Sequence, residues 1–332
     1  MALTVLFGLG LFLLIRSSAG PVDASASAEG EARVAGFRWR GGPVFSIGWS
    51  PDGQSVAATY WGSDLGIYQL GTGRVREVRL DALGTRGVVG WSPEGRGPML
   101  WGLDGSIVIK ATGGAGAASA DERRGENDLA TLARAGRGRS VRLTGPTDRR
   151  ELALPESARP ANCLAISPDG SSIASGGVDG FVRFFDLSSG RQRSTAKLHP
   201  RPLDYGGVSM VAFSPDGKEL VACGAGPVRI FDPATGLERR RIGSTEGGYS
   251  IASHSPDGRR LAAATWNGTL QVWDSASGVE QRHYSRSPTR VVVLAWSPDG
   301  RMLASGGFDG EVSIWEANPV SGQSPAGPIA VR

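Results

Sequence analysis

Histidine occurs three times and cysteine twice in 332 residues, so the side chains that most often carry metal or redox chemistry are nearly absent. His199, His254 and His283 lie far apart, and no HExxH or paired Cys/His spacing is present. That excludes the usual zinc arrangements. Cys163 and Cys223 cannot make a disulfide framework, and neither belongs to a CxxC pair. A single bridge is possible, but two buried small residues on different strands is the stronger expectation. Lysine is also scarce: three of the 36 basic residues are lysines (Lys110, Lys197, Lys218), which leaves 33 arginines. The net charge is only +4 and the arginines are spread along the chain, with modest clusters at Arg239-Arg240-Arg241 and from Arg134 to Arg142. A nucleic-acid binder concentrates such charge in one stripe, so no nucleic-acid partner is expected. No GxSxG elbow, P-loop or strand-linked GxGxxG occurs. Long helices are excluded too, because glycine supplies 50 positions and each costs a helix interior about 1 kcal/mol relative to alanine.

One long apolar stretch stands out, residues 2–15, interrupted only by Thr4 and two glycines and ended by Arg16. Fourteen helical residues reach about 21 Å, short of a hydrocarbon layer of about 30 Å. The length suits the apolar core of a secretory signal. Ser17 and Ala19 then supply small residues at the −3 and −1 positions of a cleavage site after Ala19. No basic residue precedes the stretch, so a short membrane anchor is the alternative, and a misplaced start codon or a trimmed longer protein is the third reading. The division expected is residues 1–19 as signal or anchor, 20–34 as a small-residue linker, 35–318 as the folded domain and 319–332 as a flexible tail. The expected location is periplasmic or extracellular, with membrane contact only through an uncleaved N-terminal segment.

What fills the rest is a repeat. Ser-Pro-Asp-Gly after an apolar or aromatic residue appears at Trp49-Ser50-Pro51-Asp52-Gly53, Ile166 to Gly170, Phe213 to Gly217, His254 to Gly258 and Trp296 to Gly300, with glutamate for aspartate at Trp91 to Gly95. Successive steps are 42, 75, 47, 41 and 42 residues. The 75 is nearly two periods, so a decayed copy is expected between, at Leu132-Ala133-Arg134-Ala135-Gly136. That makes seven units. Each reads as short strands joined by tight turns: proline presets φ, aspartate tolerates the next position and glycine supplies positive φ. Gap-free stretches of period-two apolar spacing begin at Val56, Pro98, Ile173, Leu261 and Leu303, and that spacing is the strand period. The glycine-rich residues 113–128 read as a flexible insertion, and Asn267-Gly268 as a hairpin turn rather than a glycosylation site.

Over residues 35–318 these units resemble the WD-repeat (WD40) β-propeller family. The resemblance is carried by Ala174-Ser175-Gly176-Gly177-Val178-Asp179-Gly180 with Phe184-Phe185-Asp186, by Gly268 through Trp273-Asp274, and by Ala304 to Gly310 with Ile314-Trp315-Glu316. It implies an all-β, seven-bladed β-propeller of four-stranded antiparallel blades, one of them degenerate. Only one literal Trp-Asp dipeptide exists and the family's Gly-His is almost wholly missing, so hydrophobic packing is expected to hold the sheets. Gly36-Phe37-Arg38-Trp39-Arg40 reads as a strand that completes the last blade and removes its open edge, with Phe37 and Trp39 at the closure.

The resemblance implies a non-catalytic scaffold that binds a protein or peptide, with no cofactor and no metal. An exported propeller enzyme, a TolB-like propeller, and the sensor part of a larger membrane-anchored signalling protein are the alternatives. The binding face expected from the resemblance is a rim of apolar residues just before the second turn of each unit: Trp61, Leu103, Val178, Trp266 and Phe308, with Ala225 and Pro146 in the irregular units. The competing reading packs the same side chains between neighbouring sheets.

Overall fold

Why the SPDG segments turn is visible atom by atom in the computed structural model, which describes residues 4–6, 33–38, 42–61, 64–79, 87–91, 98–102, 107–109, 132–135, 140–144, 149–153, 161–198, 207–244, 247–284 and 289–317. In five of the turns the serine hydroxyl donates to the aspartate carboxylate two residues on, at 2.5 Å for Ser50 to Asp52 and 2.7 Å for Ser214 to Asp216. The same hydroxyl accepts the backbone N–H five residues on, as from Ser55 and Met302 at 2.9 Å. The aspartate also accepts an N–H two residues on, from Ser171 to Asp169 at 3.0 Å. These donors hold the Asp169 carboxyl down at about 2, the Ser167 hydroxyl being the largest influence. The glycines that close the five turns all have positive φ, from 68° at Gly170 to 72° at Gly217. The motif is a turn, as its residues dictate.

Between these turns every described element is a strand, and the strands form seven antiparallel sheets. In chain order the first runs from Val44–Trp49 through Ser55–Tyr60 and Asp64–Gln69 to Arg74–Arg79. The second covers Gly87–Trp91, Pro98–Gly102 and Ile107–Ile109. The third covers Leu132–Ala135, Ser140–Thr144 and Arg149–Ala153. The fourth to sixth each run outward through four consecutive strands, beginning with Ala161–Ile166, Met210–Phe213 and Tyr249–His254. The seventh contains Val291–Trp296, Met302–Gly307 and Glu311–Glu316. Its fourth strand is Arg33–Arg38, which pairs Phe37 with Val312 and Arg38 with Glu311. Phe37 is buried and stacks on Tyr68 of the first sheet with ring centroids 4.7 Å apart. Trp39 lies outside the described residues. Thr4–Leu6 pairs with the inner strand of the fourth sheet, Thr4 opposite Ala165. No helix among the described residues is long and apolar enough to cross a membrane.

One expectation needs correction. The decayed turn expected at Leu132 to Gly136 is a strand, Leu132–Ala135, paired with Val141 to Thr144. Arginine stands where proline would fix φ and alanine where aspartate would gather N–H donors, so the chain stays extended. Apolar packing runs between the sheets as expected, with Met210, Ile251 and Leu294 in one buried cluster, and polar bonds accompany it. Adjoining sheets meet first strand to first strand, and polar side chains bridge them. Asn162 donates to Val208 O at 3.0 Å, Ser209 to Tyr249 O at 2.9 Å and Ser250 to Val291 O at 2.8 Å. At the other end of these strands the tryptophan before the turn does the same work. Trp91 donates its indole N–H to Gly48 O at 2.9 Å, Trp296 to Ser253 O at 3.0 Å, and Trp49 to Ala295 O at 3.0 Å. The last of these ties the first sheet to the seventh. The Ser-Gly-Gly stretches serve close approach between sheets: a Cβ on Gly176 would stand 2.4 Å from Val208 Cγ1, and one on Gly306 2.6 Å from Val44 Cγ1.

Candidate functional site

The apolar positions singled out in the sequence follow directly on the second strand of their sheets, where a two-strand turn must reverse the chain. Trp61 succeeds Ser55–Tyr60 and donates its backbone N–H to Pro43 O at 3.1 Å. Trp266 succeeds Arg260–Thr265 and donates to Gly248 O at 3.0 Å. Phe308 succeeds Met302–Gly307 and donates to Arg290 O at 3.3 Å. Each acceptor lies immediately before the first strand of the same sheet. The turns and the entry segments therefore sit at one end of the sheets, opposite the SPDG turns. In the fourth sheet Val178 opens the turn, Asp179 accepts the Phe181 N–H at 3.2 Å and its carboxylate pairs with the buried Arg183 at 2.6 Å. The entry of the fifth sheet then locks onto that turn through Val208 N–H to Gly177 O at 3.0 Å. Ala225 bridges to Gly248 in the same way. Leu103 and Pro146 lie outside the described residues.

Exposure differs around this end. Phe308 is 38% exposed, while Trp61, Val178, Ala225 and Trp266 are half-buried. Around Trp266 there is polar company that the repeat pattern does not announce. The Arg290 guanidinium lies over its ring, 5.7 Å from the centroid. The indole Nε1 is shielded from solvent with no hydrogen-bond partner among the described residues, and so is Thr289 Oγ1. Arg290 and Thr289 sit in the segment entering the seventh sheet, outside every SPDG or Trp-Asp motif, so only their neighbourhood to a rim residue could have flagged them.

Family comparison adds an independent line. The model of the WD domain, G-beta repeat, matches residues 153–186, 243–274 and 279–316. These segments carry strands of the fourth, sixth and seventh sheets. The chain carries WD40 repeats at these three positions. Over 91 residues this WD-repeat chain is 32% identical to WD repeat-containing protein 1 of Xenopus tropicalis, a stretch covering 27% of the chain and 15% of that relative. Over 72 residues it is 40% identical to Cross-pathway control WD-repeat protein 2 of Flammulina velutipes, covering 21% of each. Over 101 residues it is 33% identical to Ribosome biogenesis protein erb1 of Pyrenophora tritici-repentis, covering 28% of the chain and 12% of the relative. The chain thus spans about a fifth or less of the length of these relatives. WD40 repeats imply protein-interaction scaffolding at the level of the family.

The family's dipeptide has a structural task in this WD-repeat chain. Trp273 is buried, and Asp274 at the strand end accepts the Ser277 N–H at 2.8 Å. In the fourth sheet Phe185-Asp186 repeats the arrangement with Ser189 N–H at 2.8 Å. Trp315 donates to Ser305 Oγ at 2.8 Å, fixing the sheet from within. His254 is the last residue of a strand and is buried, as its place before Ser255-Pro256 suggests. Cys163 and Cys223 are buried free thiols on strands of the fourth and fifth sheets, and burial pushes Cys163 up to about 12. Among the described residues no three His, Cys, Asp or Glu side chains group to hold a metal ion.

Proposed function

We propose that the seven sheets are the blades of a seven-bladed propeller with a degenerate third blade, exported behind its N-terminal segment, and that it serves as a non-catalytic platform for a protein or peptide. Its docking rim is the ring of second-turn residues, Trp61, Leu103, Val178, Trp266 and Phe308. Ring closure is supported by the Trp49 indole bond to Ala295 O and by the Arg33–Arg38 strand in the seventh sheet. The observation that carries the docking reading is Phe308: a phenylalanine 38% exposed at the same end of the sheets as two half-buried tryptophans. Apolar patches of that kind mark interaction surfaces, and tryptophan is enriched among residues that dominate binding energy.

The test is co-precipitation from host extract with wild type and with Trp61→Ala and Trp266→Ala, alongside thermal melts and cell fractionation. Each substitution is expected to weaken capture of the same partner by about 2 kcal/mol or more while the melting temperature stays near that of wild type. Stability losses of about 3–5 kcal/mol, the cost of emptying a core aromatic site, with capture intact would assign the rim to packing and refute the reading.

A further inference from the structure

The rim is not uniformly apolar. Where the sixth sheet meets the seventh, three hydrogen-bond donors gather with little to receive them. Trp266 Nε1 and Thr289 Oγ1 are both shielded and have no hydrogen-bond partner among the described residues. A buried polar group left unpaired destabilises the fold, so two at one junction call for a ligand that would satisfy them. The third donor is Arg290, whose guanidinium rests over the Trp266 ring and has no carboxylate within ion-pair range among the described residues. The three form one neighbourhood. Thr289 and Arg290 are adjacent, Arg290 O accepts the Phe308 N–H, and a Cβ on Gly307 would touch Thr289 Oγ1 at 2.8 Å.

The nearby acids do not fill the vacancy. Asp309, whose Oδ1 would stand as near a Cβ on Gly307 as Thr289 Oγ1 does, accepts the Glu311 N–H at 3.1 Å. Its Oδ2 is shielded, has no hydrogen-bond partner among the described residues and faces Arg38 at 3.6 Å, and Glu311 faces Arg38 at 3.2 Å. Their charge is directed at the closing strand. What is left is a cation and two neutral donors beside an exposed phenylalanine, in a chain of net charge +4.

Building on the docking role of the rim, we propose that Trp266, Thr289, Arg290 and Phe308 anchor an acidic peptide. Arg290 swings from its place over the indole onto the peptide carboxylate, as guanidinium matches carboxylate geometry and charge. That movement uncovers the indole N–H and the threonine hydroxyl for the same carboxylate or the adjoining peptide carbonyl. A neighbouring apolar side chain of the peptide rests on Phe308. A diffuse cationic surface would not need the two neutral donors.

The probe is a phage-displayed random peptide library selected on the intact protein, with enriched peptides synthesised and titrated by fluorescence anisotropy at low and high salt. The expected peptides carry Asp or Glu beside an aromatic or aliphatic residue. Their binding should weaken about tenfold or more in Arg290→Gln and in Thr289→Val. Arg290→Lys should keep part of the affinity, and Arg76→Gln, the same charge change on the outer strand of the first sheet, should bind as wild type. Thermal melts of the three arginine variants should coincide with wild type, and Thr289→Val, which removes a buried unpaired hydroxyl, should melt at or above it. Enriched peptides that lack acidic residues yet depend on Trp61 or Trp266 would overturn the anchor and leave the docking rim standing. Selection of no peptide that depends on any rim residue would overturn both. Binding of single-stranded DNA weakened equally by Arg290→Gln and Arg76→Gln, with no acidic peptide enriched, would overturn the anchor in favour of diffuse charge attraction.

Discussion

Replacing His254 by phenylalanine should flatten the acid side of the stability profile. His254 occupies the position that Trp49, Trp91 and Trp296 hold in their own sheets, but its two ring nitrogens are buried without partners among the described residues. Burial lowers its pKa from 6.5 to about 4, and Arg240 nearby acts in the same direction against Glu219 and Asp216. The unfolded chain therefore binds a proton between pH 6.5 and 4 that the folded chain refuses. Folding stability contributed by this group is complete above pH 6.5 and falls as pH drops toward 4. At about 1.4 kcal/mol per pKa unit the loss amounts to about 3 kcal/mol across that window. In His254→Phe this slope should vanish. At neutral pH the variant should be more stable by about 1 kcal/mol, because an apolar ring of similar shape removes two unpaired polar atoms. Urea unfolding between pH 7.5 and 4.5, in a background with His199 and His283 replaced by glutamine, isolates the one ring. Equal pH slopes in the two proteins would refute the reasoning. Below that window the SPDG aspartates contribute with their own loss of stability: Asp169, held at about 2, destabilises the fold as pH falls through 3.8 toward 2.

Other outcomes follow from the junctions between sheets. Gly306→Ala should destabilise by about 1–3 kcal/mol through overpacking, since its Cβ would meet Val44 and Val293 at 2.6 and 2.7 Å. A raised melting temperature would contradict this. Trp49→Phe should cost about 1–3 kcal/mol by leaving Ala295 O without its indole donor, and a matching loss in Trp296→Phe would show that the first-to-seventh junction is as tight as an internal one. Deleting residues 34–41 should cause global destabilisation, because Phe37 is buried and pairs with Val312. An unchanged melt would sink the closing role of that strand. Cys163 and Cys223 should resist alkylation in the native protein and react once it is unfolded in urea, their thiols being buried. Labelling of either in the native state would show that the fourth and fifth sheets open.

How much of this was legible in the sequence depends on how local its cause is. The SPDG turn is closed within six residues, so its motif predicts its geometry, and Gly170 and Gly217 take the positive φ their place demands. The second strands begin where the period-two spacing starts them, at Val56, Ile173, Leu261 and Leu303, each one residue inside an observed strand. The third sheet was misread at Leu132, because a decayed motif keeps only the residues that do not enforce the turn. The bonds between sheets were missed altogether. Asn162, Ser209 and Ser250 resemble any polar strand residue, and their partners are carbonyls some forty positions on. Thr289 and Arg290 escaped for the same reason: their meaning comes from Trp266, more than twenty positions earlier and in another sheet.

The fourth strand of the seventh sheet has a consequence for synthesis. Arg38 and Glu311, which meet across that pairing, are 273 positions apart. At translation rates of about 5–20 residues per second, roughly 15–55 seconds separate their appearance. Throughout that interval six sheets can form in order behind Arg33–Arg38, while that strand, with Phe37 in it, has no edge to join. The last sheet to be made is the one that releases it. Until then the nascent chain carries an unpaired, partly apolar strand, the kind of segment that holdase chaperones capture and that a second nascent copy could exchange. Slow growth or a stalled ribosome before residue 311 should therefore favour strand-exchanged dimers over monomers.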